Sequence, residues 1–457
     1  MTVRNLAESH RAKVTRPSRQ VLLSIMKQTV KLLTLSALLL LPAVVQAQFT
    51  FTTNNGAITI TGYTGPGGDV TIPNTTNGYP VTSIAGVSVV NGVLIQGAFA
   101  NCTTLTNITI PDSITNIGSF AFVACINLTN VNVPNTVTTI EDGTFNGCLS
   151  LASFIIPNSI TNIGIGAFAI CSSLKGVIIP TNVNSIGFQA FYACASLTNV
   201  VIPASITSIG HDTFAGCSSL ASVTIPNSVT NFDSAFRNCT GLISLNIPTS
   251  ITSIGFQTFY TCTSLASIAI PNSVTSIGQD AFASCTSLTN IAIPDSVTNI
   301  DEDAFGGCFS LTSIIIPPNI GSIGYGMFYD STNLTAVFFK GNAPTNIGPS
   351  VFYGVNSAIV YYLPLATGWE ATFAGRPTAL WLPQAQTTDA SFGVRTNQFG
   401  FNINWASGQT VVVEACTNLT SPVWQSIQTN LLTTGSAYFS DSQWANYPGR
   451  FYRLRSP

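Results

Sequence analysis

The chain has 457 residues, of which 46% are hydrophobic and only 7% are charged, and its formal net charge is −2. Without residues 1–47, which the mature chain is predicted below to lack, the chain keeps 8 of its 15 basic residues and 16 of its 17 acidic residues, a net charge of −8. This balance argues against nucleic-acid binding, which needs basic patches. The scarcity of charge also argues against association steered by long-range electrostatics.

The first 47 residues predict export. Residues 1–25 resemble nothing else in the chain, so they are read as an over-extended gene start, with an unusually long basic leader as the alternative. Met26 then opens a basic start, an apolar run over 32–41 and a small-residue cleavage site ending at Ala47. The apolar run is too short to span a membrane. We therefore expect a signal peptide over 26–47, cleavage after Ala47, and a secreted or cell-surface protein with no transmembrane segment in the mature chain.

A unit of 23 residues repeats from about residue 97 to beyond residue 330. Its cysteines lie 23 residues apart, except for one interval of 22 before Cys239: Cys102, Cys125, Cys148, Cys171, Cys194, Cys217, Cys239, Cys262, Cys285 and Cys308. A fixed period of 20–50 residues is typical of a solenoid. We therefore predict an N-terminal cap with an irregular first coil over 48–96, including a loop over 86–95, and a solenoid with its C-terminal cap over 97–383.

The unit contains one clear strand signal. In Leu265-Ala-Ser-Ile-Ala-Ile270 apolar and small residues alternate toward the end, which is typical of a strand with one buried face. Pro271 then ends the strand because it has no backbone N–H. Further on, Phe282 and Cys285 lie three residues apart and would share one face of a short helical turn. Stacked copies would bury continuous apolar rows, giving a parallel β-sheet on one face and short helical turns on the other.

The recurring pattern Ile-Pro-x-Ser-Val-Thr-x-Ile-Gly-x-x-Ala-Phe-x-x-Cys-x-x-Leu resembles the BspA-type leucine-rich repeat family of bacterial surface proteins. About 290 residues carry it in near-constant register. The resemblance implies a leucine-rich repeat solenoid and surface interaction. The cysteine precedes the strand and no asparagine row follows it, unlike the commonest leucine-rich pattern, so a horseshoe curvature is not implied.

The end of the chain predicts a separate β-rich module over 384–457. The polar stretch 384–389 is typical of a linker, and three strand candidates follow it over 399–405, 410–415 and 450–455. This end resembles a domain found at the ends of secreted bacterial repeat proteins. It would anchor the protein, export it or cap the solenoid.

The cysteine row admits two interpretations. Cysteines of successive coils would lie close enough for disulfides, but parallel side chains give unfavourable disulfide dihedral angles. Buried free thiols that act as small hydrophobic groups fit better, and Ser331 in the same row agrees with them. A metal site is disfavoured because the spacing is uniform and contains no Cys-x-x-Cys pair. Cys416 is alone in its module and would be buried or paired between molecules.

Little in the sequence indicates catalysis. His211 occupies a slot that holds Phe188, Phe256 or Gln279 in other copies, so it is expected to face solvent, and Asp212 beside it completes no triad. The acidic run over 301–303 could hold calcium weakly, but a solvated surface is the preferred interpretation. We therefore expect no enzyme, no catalytic residue, no metal and no cofactor.

The residue two before each proline should face outward from the strands. This row comprises Thr109, Asn132, Ile155, Ile178, Val201, Thr224, Asn246, Ala269, Ala292 and Ile315. Three of its members form an apolar stripe, which either binds a partner or stabilises the sheet by cross-strand packing. The expected function is non-enzymatic binding of a protein or cell-surface ligand through this face. The alternatives are a self-associating structural protein, a binder of neutral glycans and, remotely, ice binding by a threonine array.

Overall fold

The computed structural model describes residues 48–90 and 93–457. The predictions for residues 1–47, including the signal peptide and its cleavage site, lie outside the described residues. The described part is almost entirely β structure and turn, with one short 3₁₀ helix at Trp444–Asn446.

The strands follow one another along the chain in three groups. The N-terminal cap contains β1 Phe49–Asn54, β2 Ala57–Tyr63, β3 Gly68–Thr71, β4 Thr75–Thr76, β5 Tyr79–Ile84, β6 Ser88–Val90 and β7 Val93–Ile95. The solenoid contains β8 Leu105–Thr109, β9 Asn116–Ile117, β10 Asn130–Asn132, β11 Thr139–Ile140, β12 Phe154–Ile155, β13 Asn162–Ile163, β14 Val177–Ile178, β15 Ser185–Ile186, β16 Asn199–Val201, β17 Ser222–Thr224, β18 Ser253–Ile254, β19 Ser267–Ala269, β20 Ser276–Ile277, β21 Asn290–Ala292, β22 Asn299–Ile300, β23 Ser313–Ile316, β24 Ser322–Ile323, β25 Ala336–Phe339, β26 Asn346–Ile347, β27 Ile359–Tyr362, β28 Thr372–Phe373 and β29 Arg376–Leu380. The C-terminal module contains β30 Gln384–Ala385, β31 Gly393–Arg395, β32 Gln398–Asn404, β33 Gln409–Cys416, β34 Gln425–Leu432, β35 Ser436–Asp441 and β36 Phe451–Arg455.

Most coils contribute one short strand to each of two parallel ladders, and around the shortened repeat the ladders continue as single bridges, such as Ser208 with Asn231. The strand before the proline forms the first ladder, in which residues one repeat apart are partners, such as Ile268 and Ile291. The second ladder is formed by the pair of residues before the glycine, such as Ile277, which is the partner of Ile254 in one neighbouring coil and of Ile300 in the other. The repeat family's predicted parallel β-solenoid is confirmed, and about 13 coils follow one another.

The short helical turns expected around the phenylalanine and cysteine are instead successive tight turns. In one coil Cys262 N donates to Phe259 O at 3.1 Å, an i→i+3 bond. Gln257 and Thr261 on either side adopt left-handed backbone angles, with φ of 51° and 58°. A residue in this region breaks the succession of right-handed residues that a helix needs. The corner therefore cannot become a helix, and that part of the prediction was wrong.

The corner backbone is satisfied by the neighbouring coil. Phe122 N donates to Thr144 O at 2.9 Å, and the same bond recurs from Phe282 N to Ala304 O. In several coils the serine two residues after the proline adds a side-chain bond, as when Ser273 Oγ donates to Ile251 O at 2.7 Å. Buried backbone groups are costly when unpaired, so each coil depends on its neighbour for polar as well as apolar contacts.

A column of phenylalanine rings runs through the core. Consecutive rings from Phe99 to Phe352 are stacked with centroids 4.9–6.2 Å apart. Tyr63 of the N-terminal cap stacks on Phe99 at 5.4 Å and so covers one end of the column. The predicted loop over 86–95 contains the antiparallel hairpin of β6 and β7.

The C-terminal module is a pair of facing sheets, one formed by β30, β31, β32 and β35 and the other by β34, β33 and β36. The stretch predicted as a linker begins with β30, because Gln384 and Ala385 are the partners of Asn404 and Ile403 in β32. The apolar core of the module also includes Leu363, at the end of the solenoid. The module therefore packs directly against the last coils.

Candidate functional site

The outward row predicted from the sequence is exposed along its whole length. Residues Thr109, Asn132, Ile155, Ile178, Val201, Thr224, Asn246, Ala269, Ala292 and Ile315 are all solvent-exposed. Their positions follow from the alternation of the strand, since the residues before and after each of them face the core. Neighbours in the row are direct partners across the ladder, as are Ile155 with Ile178 and Val201 with Thr224. We call this surface the strand face.

An apolar stripe interrupts the polar part of the strand face. Ile155, Ile178 and Val201 are 87%, 85% and 63% exposed. Such exposure of β-branched side chains leaves most of their apolar area in water, so cross-strand packing accounts for little of it. The residues on either side in the row are Asn132 and Thr224, so the stripe is bounded by polar groups along the solenoid.

A shallow hollow of about 260 Å³ lies beside Ile155. Its lining includes the amide side chains of Asn130, Asn132 and Asn135 together with Ser153. Amide and hydroxyl groups donate and accept hydrogen bonds without bringing a charge. The stripe thus has a neutral hydrogen-bonding rim on the side of the N-terminal coils.

The row continues beyond Ile315 as aromatic residues that the sequence analysis did not include. Phe338 and Tyr361 are the next partners along the ladder, and their rings stack at 4.9 Å. Trp381 packs on Phe338 with ring centroids 4.8 Å apart, while its backbone oxygen accepts a bond of 2.9 Å from Trp405 Nε1 of the module. The accessible strand face therefore ends where Trp381 and the module begin. The spacing of the ladder predicts these residues, but their cover depends on tertiary packing.

The repeat cysteines are buried, apart from the partly exposed Cys102. Each buried thiol donates to the carbonyl of the phenylalanine one coil earlier, as Cys217 Sγ does to Phe191 O at 3.2 Å. Ser331 keeps the bond, because its hydroxyl donates to Phe305 O at 2.8 Å. The interpretation as buried hydrophobic thiols agrees with this geometry. Cys416 is also buried.

His211 lies on the surface, as the variation of its slot predicts. The neighbouring Asp212 is buried, and its carboxylate accepts bonds from both Nε and Nη2 of Arg237, the latter at 3.0 Å. Burial would raise the pKa of Asp212, but the hydrogen bonds from Arg237 and Gln189 outweigh it and hold that pKa below its ordinary value. The sequence analysis did not predict this ion pair. It joins two coils beside the shortened repeat and contains no nucleophile.

The acidic run lies next to a hollow of about 460 Å³ lined by Asp280, Asp303 and Asp330 with several tyrosines. Burial, followed by the charges of Asp280 and Glu302, raises the pKa of the Asp303 carboxyl. Over residues 48–90 and 93–457, no group of three or more histidine, cysteine or acidic side chains is arranged to hold a metal ion. Within the same part of the chain no helix has the length and apolarity to cross a membrane.

The stacked coils, their two parallel ladders and the buried leucine, phenylalanine and cysteine rows define a leucine-rich repeat solenoid. The profile of the BspA-type leucine-rich repeat region, in 6 copies, matches residues 94–221, 184–285 and 252–364. These matches together span more than half of the chain. The protein belongs to the BspA-type leucine-rich repeat family, as its repeat pattern predicts.

Two solved structures are similar over most of the chain. A leucine-rich repeat protein from Bacteroides ovatus is 29% identical, with 73% of this chain and 98% of that chain covered and a TM-score of 0.52. A leucine-rich cell surface protein from Faecalibacterium prausnitzii is 30% identical, with coverage of 69% and 93% and a TM-score of 0.50. The comparison with curated proteins gives no match.

Proposed function

We propose that the protein is exported and binds a protein partner at the cell surface through its strand face, without catalysing a reaction. The observation that carries this proposal is the apolar stripe of Ile155, Ile178 and Val201, whose side chains are exposed to solvent on the parallel sheet. Contiguous exposed apolar groups on a surface of otherwise small polar side chains commonly mark a contact with another protein.

The composition around the stripe favours a protein as the partner. The aliphatic side chains offer no hydrogen bonds, so their contribution to binding is the burial of apolar area. The amides of Asn130 and Asn132 lie at the edge, where polar groups surround the apolar centre of typical protein interfaces. Because charged groups are scarce, binding should change little with salt.

Export is supported by the signal-peptide pattern over 26–47 and by family membership. The similar protein from Faecalibacterium prausnitzii is described as a cell surface protein. Fractionation of the native host tests this part of the proposal. Recovery of the full-length chain only from the cytoplasm would overturn it, whatever the strand face binds.

The binding surface is tested by placing lysines in the stripe. The double variant I178K/V201K should lose the partner captured by the unchanged protein, since burying an unpaired charge is costly. The double variant A269K/A292K is the matched control, because it puts two lysines in the same row at exposed positions outside the stripe. Both variants should keep the circular dichroism spectrum of the parent. Loss of the partner in both variants, or in neither, would refute the assignment to the stripe.

Glycan binding is a second candidate, favoured by the neutral hollow beside Ile155. Sugar hydroxyls could bond the amides of Asn130, Asn132 and Asn135 without any charged contact. This function requires hits on a glycan array that persist at 1 M salt (about a 3 Å Debye length) and vanish in N132A.

Self-association through the C-terminal module requires a dimer or larger species in sedimentation velocity of the full chain.

A further inference from the structure

We propose that a cleft in the C-terminal module binds the free C-terminus of a peptide whose last residue is aromatic or leucine. The cleft lies between the two sheets of the module, away from the apolar stripe. The proposal is independent of the function assigned to the strand face.

The cleft has the size and walls of a ligand site. Its volume is about 570 Å³, within the range of roughly 300–1,000 Å³ that is usual for small-ligand pockets. The walls are rich in aromatic rings: Phe392, Phe399, Phe401, Trp424, Phe451 and Tyr452. Phe399 and Tyr452 stack across the gap between the sheets at 5.1 Å. Such walls would accept an aromatic or leucine side chain by burying its apolar surface.

The charge of the lining selects an anion. Two arginines, Arg450 and Arg453, line the cleft, and no acidic residue is among its lining residues. The Arg450 side chain is only 11% exposed, and its Nε lies 2.9 Å from Asp441 Oδ2. Arg450 is therefore ion-paired through Nε, whereas its Nη1 has no hydrogen-bond partner among residues 48–90 and 93–457. The Nη1 of this guanidinium can donate to one oxygen of a carboxylate.

Both arginines are ion-paired, but Arg453 is the more exposed of the two and its Nε makes a regular hydrogen bond. Its Nε donates to Glu414 Oε2 at 2.7 Å, and its guanidinium lies 4.5 Å from the ring centre of Trp424. It therefore closes one wall of the cleft, and because Arg455 pairs with the same Glu414, these three side chains keep one net positive charge beside it. Arg450 is the group from which we expect the carboxylate to accept a hydrogen bond.

The position of β36 favours a peptide over a free acid. The strand is at the edge of its sheet, since β33 is its only partner among the described strands, and residues 450–454 line the cleft. An edge strand leaves one row of backbone N–H and C=O groups open to an added strand. An extended peptide could thus bond to β36 while its terminal carboxylate reaches Arg450, a combination of strand addition and carboxylate capture.

Binding is tested on the full chain with three probes. The first is an acetylated tetrapeptide of three alanines and a terminal phenylalanine with a free carboxylate, the second is the same peptide as its amide, and the third is 3-phenylpropionate. Titration calorimetry should give at least a tenfold lower Kd for the free-acid peptide than for the amide and for phenylpropionate. Equal affinity for acid and amide would overturn the role of the carboxylate. Equal affinity for the free-acid peptide and phenylpropionate would overturn the claim that the ligand is a peptide. No binding of the acid peptide at millimolar concentration would overturn the whole proposal.

Variants then locate the site. In R450Q the Kd values of the free-acid peptide and of its amide should lie within twofold of each other, and the Kd of the amide should equal that of the unchanged protein. R455Q is the control for the loss of one positive charge, because Arg455 lies at the other end of β36, pairs with Glu414 at 2.9 Å and does not line the cleft. R455Q should keep the preference for the free-acid peptide. A preference that survives in folded R450Q, or that is lost equally in R455Q, would refute this assignment, and the comparison of probes on the unchanged protein stands even where R450Q fails to fold.

Discussion

The phenylalanine column predicts a sharp difference between two rings of one coil. Phe191 is fully buried and stacks on Phe168 at 5.4 Å and on Phe214 at 5.6 Å. Phe188, three residues earlier, is 58% exposed. The variant F191A should be strongly destabilised, and F188A provides a control with the same chemical change in the same coil.

The magnitude for F191A follows from burial and stacking. Truncating a buried phenylalanine to alanine costs about 3–5 kcal/mol, which includes the cavity that remains. Each of the two ring contacts adds about 0.5–1.5 kcal/mol beyond burial. We therefore expect F191A to lower the free energy of unfolding by about 5 kcal/mol, the upper end of the range for burial. The control F188A should change stability by no more than about 0.5 kcal/mol, as is usual for exposed positions.

Urea unfolding followed by circular dichroism gives the two values, and hydrogen exchange locates the loss. In a solenoid each coil contacts only its neighbours, so amides in the coils around Phe191 should lose protection first. Similar losses in F191A and F188A would refute the claim that the ring column holds the coils together. Uniform exchange along the whole chain would refute the nearest-neighbour picture.

Three further predictions concern ionisable groups. Burial raises the pKa of Cys148, Cys239 and Cys308 to about 12 from an ordinary 9.0, so the folded state keeps protons that the unfolded state releases. The free energy of unfolding should therefore fall as pH rises above about 9, by about 1.4 kcal/mol per buried thiol at pH 10, and the urea midpoint should fall with it. An unchanged midpoint would contradict this burial. A thiol reagent should label at most Cys102 in the native protein and every cysteine in urea; native labelling of the other repeat cysteines would show an open core. The variant D212N should cost about 1–3 kcal/mol, because Arg237 loses its charged partner; a smaller loss in thermal unfolding would show that the pair contributes little.

The repeat explains why so much of the fold could be predicted. The position of each proline sets the end of a strand, and alternation before it decides which residue faces outward, so Ile155 and Ile178 could be placed without coordinates. The left-handed residues at the corners could not be predicted from the sequence, because they include Phe120 and Ile170 as well as glycines. That conformation is imposed by bonds to the next coil, as when Phe120 N donates to Asp142 O.

The remaining surprises arise from contacts between distant parts of the chain. The sequence contains Asp212 and Arg237, but their pairing depends on the stacking of two coils. Likewise, the segment before residue 383 was expected to cap the solenoid, but the packing of Trp381 on Phe338 of the strand face is a tertiary contact that local patterns do not specify. The aromatic cleft requires two sheets to face each other, which local patterns do not specify.

The central claim is that the apolar stripe on the strand face contacts a protein partner. The most direct measurement is photocrosslinking on the native host with a benzoylphenylalanine at position 178, compared with the same probe at Ala292, which is exposed in the same row but outside the stripe. Our account predicts a discrete crosslinked protein from position 178 and none from position 292. The same products from both positions, or no product from position 178 while the protein is folded and exported, would contradict it.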